Sequence, residues 1–186
     1  MAKLVYSAIS SLDGDIADAD GNFDWAAPDP DVFEVINDLE REVTTVLYGR
    51  GMYETMVYWE TFQISTDVPS VVQRFADTWR AQHKIVYSTT LEHASSTNTQ
   101  IERSFIPEAV RQLKQSSEHD LSIGGAHLAS QAIEARLVDE MHLFVVPVTV
   151  GAGTPAHPGE LRTTLELLDV NRFEGGTVHL HYRFGY

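Results

Sequence analysis

Apolar residues along this chain fall in short runs that alternate between two spacings. The first, "KLVYSAISSLDG", is β-branched and ends in a turn signal, which predicts an opening strand. A loop rich in Asp, Gly and Pro, "DADGNFDWAAPDPD", separates it from a change of period. Val32, Val35, Ile36 and Leu39 then recur at helical spacing, with Pro30 or Asp31 opening the helix. "VTTVLYG" reads as a buried strand, and "RGMYETMVYWETF" as a short helix after it. "DVPSVVQRFADTWRAQH" puts Val71, Val72, Phe75 and Trp79 on one helical face, and "KIVYST" is the next strand. Pro107 suits the first turn of a helix in "IPEAVRQLKQS". There follow a short strand in "DLSIGG", a helix in "AHLASQAIEARL" and a long strand in "EMHLFVVPVTVG". Two further strands, "LELLDVNRF" and "TVHLHYRFGY", are joined by the glycine turn of "EGG".

This alternation predicts an α/β sheet with helices on both faces, closed by an antiparallel pair at the carboxyl end. No repeat or linker interrupts it, so residues 1–186 are read as a single domain. In such sheets ligands gather at the carboxyl ends of strands. The turns of interest are therefore Ser11–Gly14, Gly49–Met52, Ser88–Thr90, Gly124–His127 and Gly151–Thr154.

Composition narrows the partners. The 186 residues, 43% of them apolar, suffice for a substantial core. No run approaches the ~20 apolar residues of a membrane helix, and the first ten residues are too alternating for a signal peptide, so a cytoplasmic protein is expected. The absence of cysteine excludes disulfides and thiolate metal sites. A net charge of −14 argues against nucleic acid and anionic membranes as partners. A small anionic ligand would need local cations and backbone N–H groups. With 13 Lys and Arg in all, a basic residue beside a glycine turn is informative.

Gly124-Gly125-Ala126 stands where a strand turns directly into a helix. There the first free N–H groups and the positive dipole end converge, and two glycines let a phosphate approach the backbone. Close packing alone explains such a pair equally well, and the G-x-G-x-x-G fingerprint is absent. Gly49-Arg50-Gly51-Met52 repeats the arrangement with a guanidinium, though a surface arginine in a tight turn is the plain alternative. Ser88-Thr89 and Gly151–Pro155 read as ordinary turns or as cleft edges. His179 and His181 share one strand face, a geometry that can bind zinc; no third ligand is evident nearby, and no metal is expected. Asp13, Asp15, Asp18 and Asp20 lack the twelve-residue calcium-loop spacing and read as a solvated loop.

Four segments carry a resemblance: "SAISSLDGDIA", "VLYGRGMYETM", "KIVYSTTL" and "LSIGGAHLASQAIEARLVDEMHLFVVPVTVGAGTP". In this order they make the chain similar to the dihydrofolate reductase superfamily. The likeness is strongest to the branch typified by the C-terminal reductase domain of the bifunctional riboflavin-biosynthesis deaminase–reductase. The resemblance implies one dihydrofolate-reductase-like α/β domain with a central, mostly parallel eight-stranded sheet and an antiparallel C-terminal hairpin. It also implies NADPH-dependent hydride transfer to a small heterocyclic or ribosylaminopyrimidine-like substrate. On that likeness, Gly49, Arg50, Gly51 and Met52 hold the dinucleotide phosphates from one side. Gly124, Gly125, Ala126, His127 and Leu128 hold them from the other, with a cis peptide between Gly124 and Gly125. Ser88 and Thr89 lie near the 2′-phosphate, and Ala8 and Ile16 beside the nicotinamide. Branch members commonly dimerise through their C-terminal strands, where Val178, Leu180, Tyr182 and Phe184 alternate, so a homodimer is expected.

Departures from the pattern matter as well. Met52 replaces the phosphate-binding threonine of dihydrofolate reductases proper, and Asp29 and Asp31 only approximate the position of their acid. The zinc-deaminase signature is missing, so the chain cannot deaminate. Asp13 is the first candidate proton donor and Asp31 the second, with a turn aspartate as the alternative for Asp13. Trp25 and Phe23 would wall an aromatic substrate, and Gly153 and Thr154 would line its cleft. The alternative function is an NADPH-binding or dimeric interaction protein of the same fold without turnover.

Overall fold

A computed structural model of the chain describes residues 1–157 and 162–186. It opens with strand β1 (Leu4–Ser10), strand β2 (Asp15–Asp18), a 3-10 turn at Asp24–Ala26 and helix α1 (Pro30–Glu40). Strand β3 (Thr45–Gly49) leads into α2 (Arg50–Met56), α3 (Tyr58–Thr61) and α4 (Ser70–Ala81). Strands β4 (His83–Tyr87) and β5 (Thr99–Glu102) precede α5 (Pro107–Ser116), β6 (Leu121–Gly124) and α6 (Ala126–Glu134). The chain finishes with β7 (Glu140–Val145), β8 (Gly153–Pro155), β9 (Thr164–Arg172) and β10 (Val178–Gly185).

Eight strands form one sheet in the order β5-β4-β3-β6-β1-β7-β10-β9. The pairs from β5 to β7 are parallel, while β10 and β9 join antiparallel. The expected mostly parallel eight-stranded sheet, with its antiparallel C-terminal pair, is the one observed. Alternation along the strands divides the core between two faces. Leu4 and Tyr6 of β1, Leu121 and Ile123 of β6 and Met141 of β7 pack under α5 and α6, through Val110, Leu128 and Ile133. On the other face Val46, Tyr48 and Val86 meet Tyr53 of α2 and Trp79 of α4.

Three strands escaped the sequence pattern. β2, β5 and β8 are three or four residues long and read "DIAD", "TQIE" and "GTP". They have too few apolar positions to show a period, and a neighbour's edge recruits them. The long strand expected from Glu140 to Gly151 ends at Val145, just before Pro147, which has no N–H for a ladder. The C-terminal alternation also packs inward. Phe184 is buried and Tyr182 half-buried against the chain's own core, beside Leu165. On edge strand β9, Leu167 and Val170 stay exposed.

Two buried polar features shape the sheet. Lys84 of β4 is fully buried, and its Nζ donates to the carbonyls of Trp79 (2.7 Å), Gln82 (2.8 Å) and Arg80 (3.3 Å), closing the end of α4. Burial lowers its pKa, while Glu60 works in the opposite direction. On the face shared with Val46, strands β7 and β10 stack the rings of Phe144, His179, His142 and His181. Burial first, then the adjacent imidazoles, pushes His142 down to about 3.

Lys84→Ala leaves three helix-end carbonyls without their donor and opens a void, so a loss of about 3 kcal/mol is expected. Urea unfolding followed by circular dichroism measures it; a loss below about 1 kcal/mol would show that water replaces the ammonium.

Candidate functional site

Strands β3 and β6 lie side by side, with Tyr48 opposite Gly124, and each turns straight into a helix. The two turns touch. A Cβ on Gly124 would stand 2.8 Å from Tyr48 Cε1 and 3.1 Å from Met52 Cγ. One on Gly125 would stand 3.2 Å from Met52 Cβ, while one on Gly49 would make only ordinary contact with Leu128 Cβ at 3.7 Å. At Gly124 and Gly125 the neighbouring turn occupies the space that a side chain would need.

The expected cis bond between Gly124 and Gly125 is not present; no cis peptide occurs among the described residues. Gly125 turns the chain instead, at φ +93° and ψ 120°, a conformation that L side chains strain to adopt. No side chain caps α6, which leaves its first N–H groups, at Ala126, His127 and Leu128, to other acceptors. His127 is exposed, while Ala126 and Leu128 are buried. Met52 is half-buried, and its apolar side chain fills the gap between the turns.

Beside this junction stands Arg50, half-exposed at the start of α2. It donates from Nε to Glu54 Oε1 (2.7 Å) and from Nη1 to Thr90 Oγ1 (2.7 Å), tying α2 to the turn after β4. Within that turn the buried Ser88 hydroxyl accepts the N–H groups of Leu91 (2.9 Å) and Thr90 (3.3 Å), while Thr89 is exposed. Arg103 Nη1 holds the carbonyls of Ser88 (3.1 Å) and Leu91 (2.7 Å). Sequence reasoning passed over Arg103, which follows β5, a strand too polar to recognise. Two guanidinium groups thus flank one turn of an acidic protein.

The remaining candidates fall into two groups. Pairing of β2 with β8 sets Ala17 against Thr154 and Asp18 against Gly153, which brings the Ile16 segment together with the glycine loop. A Cβ on Gly153 would lie 2.0 Å from Ala17 O, so this pairing demands glycine. Ala8 sits mid-strand in β1, packed against the core under α6. Trp25 is half-buried in the 3-10 turn, its indole N–H buried without an acceptor among the described residues, and Phe23 is exposed.

The two candidate carboxylates make different contacts. Asp13 accepts the N–H groups of Gly151 (2.8 Å) and Val150 (3.1 Å), tethering the loop between β7 and β8. The Ser11 hydroxyl and then the Gly151 N–H hold its carboxyl at about 2, so it is ionised near neutrality. A group held that acidic is a weak general acid near neutrality, and its contacts in the structure are those of a loop tether. Asp31 accepts the N–H of Val32 (2.9 Å) at the start of α1. It lines an open cleft of about 520 Å³ with Asp29, Pro30, Glu174 and Gly175, against the β9–β10 turn.

The family model described as the RibD C-terminal domain matches residues 2–179. Protein YwjB of Bacillus subtilis (strain 168) is 31% identical over 191 residues, covering 96% of this chain and 95% of its own. A diaminohydroxyphosphoribosylaminopyrimidine deaminase/5-amino-6-(5-phosphoribosylamino)uracil reductase of Thermotoga maritima superposes at TM-score 0.69. It is 17% identical, and the match covers 99% of this chain and 57% of that one. The dihydrofolate reductase of Enterococcus faecalis, complexed with NADP(H) and RAB-propyl, superposes at TM-score 0.59 with 15% identity, covering 99% and 97%. At these identities the two structures establish the fold.

Two outcomes are expected of this site. Gly125→Ala strains a left-handed residue against Met52 and should cost about 1–3 kcal/mol, read as a lower melting temperature. The Asp13 carboxyl, followed by NMR, should titrate near 2. Because its folded pKa is depressed, its stabilisation is present above the unfolded value and is lost as pH falls through about 2. A midpoint at or above 4 would remove the tether.

Proposed function

The chain belongs to the RibD C-terminal domain family, and we propose that it is an NADPH-dependent reductase. Its proposed substrate is a small heterocycle or a ribosylaminopyrimidine phosphate of the riboflavin route. The observation that carries this reading is the contact between the Gly49–Met52 and Gly124–Leu128 turns at the carboxyl ends of adjacent strands, beside Arg50. The dinucleotide fits this place on three observations. The close approach excludes Cβ atoms, α6 lacks a side-chain cap, and the space beside Gly51 is open within 4 Å.

NADPH, when bound, supplies a hydride for the carbon of a C=N or C=O group. The chain's own residues bind and orient. The N–H groups of Ala126, His127 and Leu128 and the Arg50 guanidinium meet the phosphates, and the Ser88-Thr89 turn, braced by Arg50 and Arg103, meets the 2′-phosphate. The Asp13 tether fixes the β7–β8 loop, and so the Gly153-Thr154 edge against β2, while Trp25 and Phe23 wall the substrate ring. With Asp13 ionised, water delivers the proton to the neighbouring heteroatom.

Quenching of tryptophan fluorescence on NADPH titration tests the cofactor assignment. Tenfold weaker binding in Arg50→Ala, equivalent to about 1.4 kcal/mol, is the expected outcome, with NADH affected less. No NADPH binding, or an unchanged affinity in the variant, overturns it. Oxidation of NADPH in the presence of the ribosylaminopyrimidine phosphate, followed by absorbance, then separates a reductase from a binding protein without turnover.

The same fold is proposed to form a homodimer through edge strand β9. Leu167 and Val170 are exposed there, on the sheet face that also carries Leu180 and Tyr182. Sedimentation should report a dimer, and the double variant Leu167→Glu/Val170→Glu a monomer; a monomeric parent removes the proposal. No helix among the described residues is long and apolar enough to cross a membrane.

A further inference from the structure

The antiparallel register of β7 and β10 sets His142 opposite His181, and Glu140 lies two residues before His142 on the same face. His179 and His181 were legible in the sequence as two imidazoles on one face without a third ligand. The neighbouring strand supplies it. We propose that Glu140, His142 and His181 form a binding site for a divalent transition metal of the zinc class.

One ligand atom from each of the three residues lies within 4.8 Å of the others. His181 Nε2 and Glu140 Oε2 are 3.1 Å apart. Two ligands at about 2.0–2.1 Å from a tetrahedral ion stand about 3.3 Å apart, so this pair is already at ligand spacing. The His142 and His181 rings stack at 4.0 Å, 19° from parallel, and His142 turns out of that stack to bring its nitrogen to the ion. His142 Nδ1 is hydrogen-bonded to His179 Nε2 at 2.9 Å, which leaves its Nε2 as the metal-binding nitrogen and makes His179 the residue that orients the ring. Glu140 divides its two oxygens. Oε1 meets Lys3 Nζ at 3.0 Å and Arg183 at 3.9 Å, and Oε2 turns to the imidazoles.

Borderline-soft nitrogen donors with a single carboxylate favour zinc over magnesium or calcium, which take oxygen ligands. A cavity of about 190 Å³ adjoins the three residues, lined also by Ser7, Glu40 and Ser122, and it leaves room for a water as fourth ligand.

The site is remote from the dinucleotide. Glu140 opens β7, five residues before its carboxyl end at Val145, or about 16 Å of strand. An ion here joins β7 to β10 and so pins the antiparallel C-terminal pair to the parallel sheet. Its role is structural, and it does not depend on the reductase reading.

Protein stripped with EDTA and dialysed is titrated with zinc chloride by calorimetry and with cobalt(II) by visible absorption. One ion per chain in the micromolar range or tighter, a tetrahedral cobalt spectrum and a raised melting temperature are expected. His181→Ala and Glu140→Gln should each abolish or weaken binding at least a hundredfold. His179→Ala should weaken it tenfold or more, and His93→Ala, at an exposed histidine elsewhere, should leave it unchanged. Circular dichroism and a cooperative urea unfolding transition confirm that the variants fold. Absence of binding to the stripped protein, or equal binding in folded His181→Ala and Glu140→Gln, overturns the assignment.

Discussion

The Tyr48 ring and the Met52 side chain occupy the space that a Cβ at residue 124 would need, and the candidate site is built on that contact. Two parallel strands end at the same level, each feeding a helix, and the turns approach until only glycine fits between them. This sets the uncapped end of α6 beside the start of α2, which carries Arg50. In a protein of net charge −14 such local convergence is what an anionic ligand requires, because the long-range field repels it.

The sheet also separates its tasks by edge. At the carboxyl ends of the parallel strands the loops are tied by hydrogen bonds, from the Gly151 N–H to the Asp13 carboxylate, between β2 and β8, and from the Arg50 guanidinium to the Thr90 hydroxyl. These links brace irregular segments without covering them. At the amino-terminal end of β7, polar groups instead gather on a strand face that α5 and α6 do not cover, and imidazoles stack where an apolar core would otherwise continue. One alternation along β7 produces both arrangements, since Met141 enters the core under α6 while Glu140 and His142 face the opposite side.

Long elements were legible in the sequence because their burial imposes a period. Val32, Ile36 and Leu39 mark α1, and the β-branched runs mark β3 and β4. The glycine pair and Arg50 were legible as candidates, although packing and phosphate binding leave the same residues behind. β2, β5 and β8 were not legible, for a strand of three or four polar residues exists only through its partner. Asp13 was legible as a candidate but its work as a loop tether was not, since the N–H groups that donate to it lie 137 and 138 residues away in the chain.

What the sequence determined by itself is the succession of strands and helices, the single α/β domain and the positions where glycine interrupts it. Those follow from local spacing and from turns, which each segment carries within itself. Tertiary structure alone decided that the two glycine turns touch, that Arg103 braces the Ser88 turn, and that Glu140 and His142 stand beside His179 and His181. Each of these depends on strand order and register, which bring together residues tens of positions apart and leave no trace in local pattern.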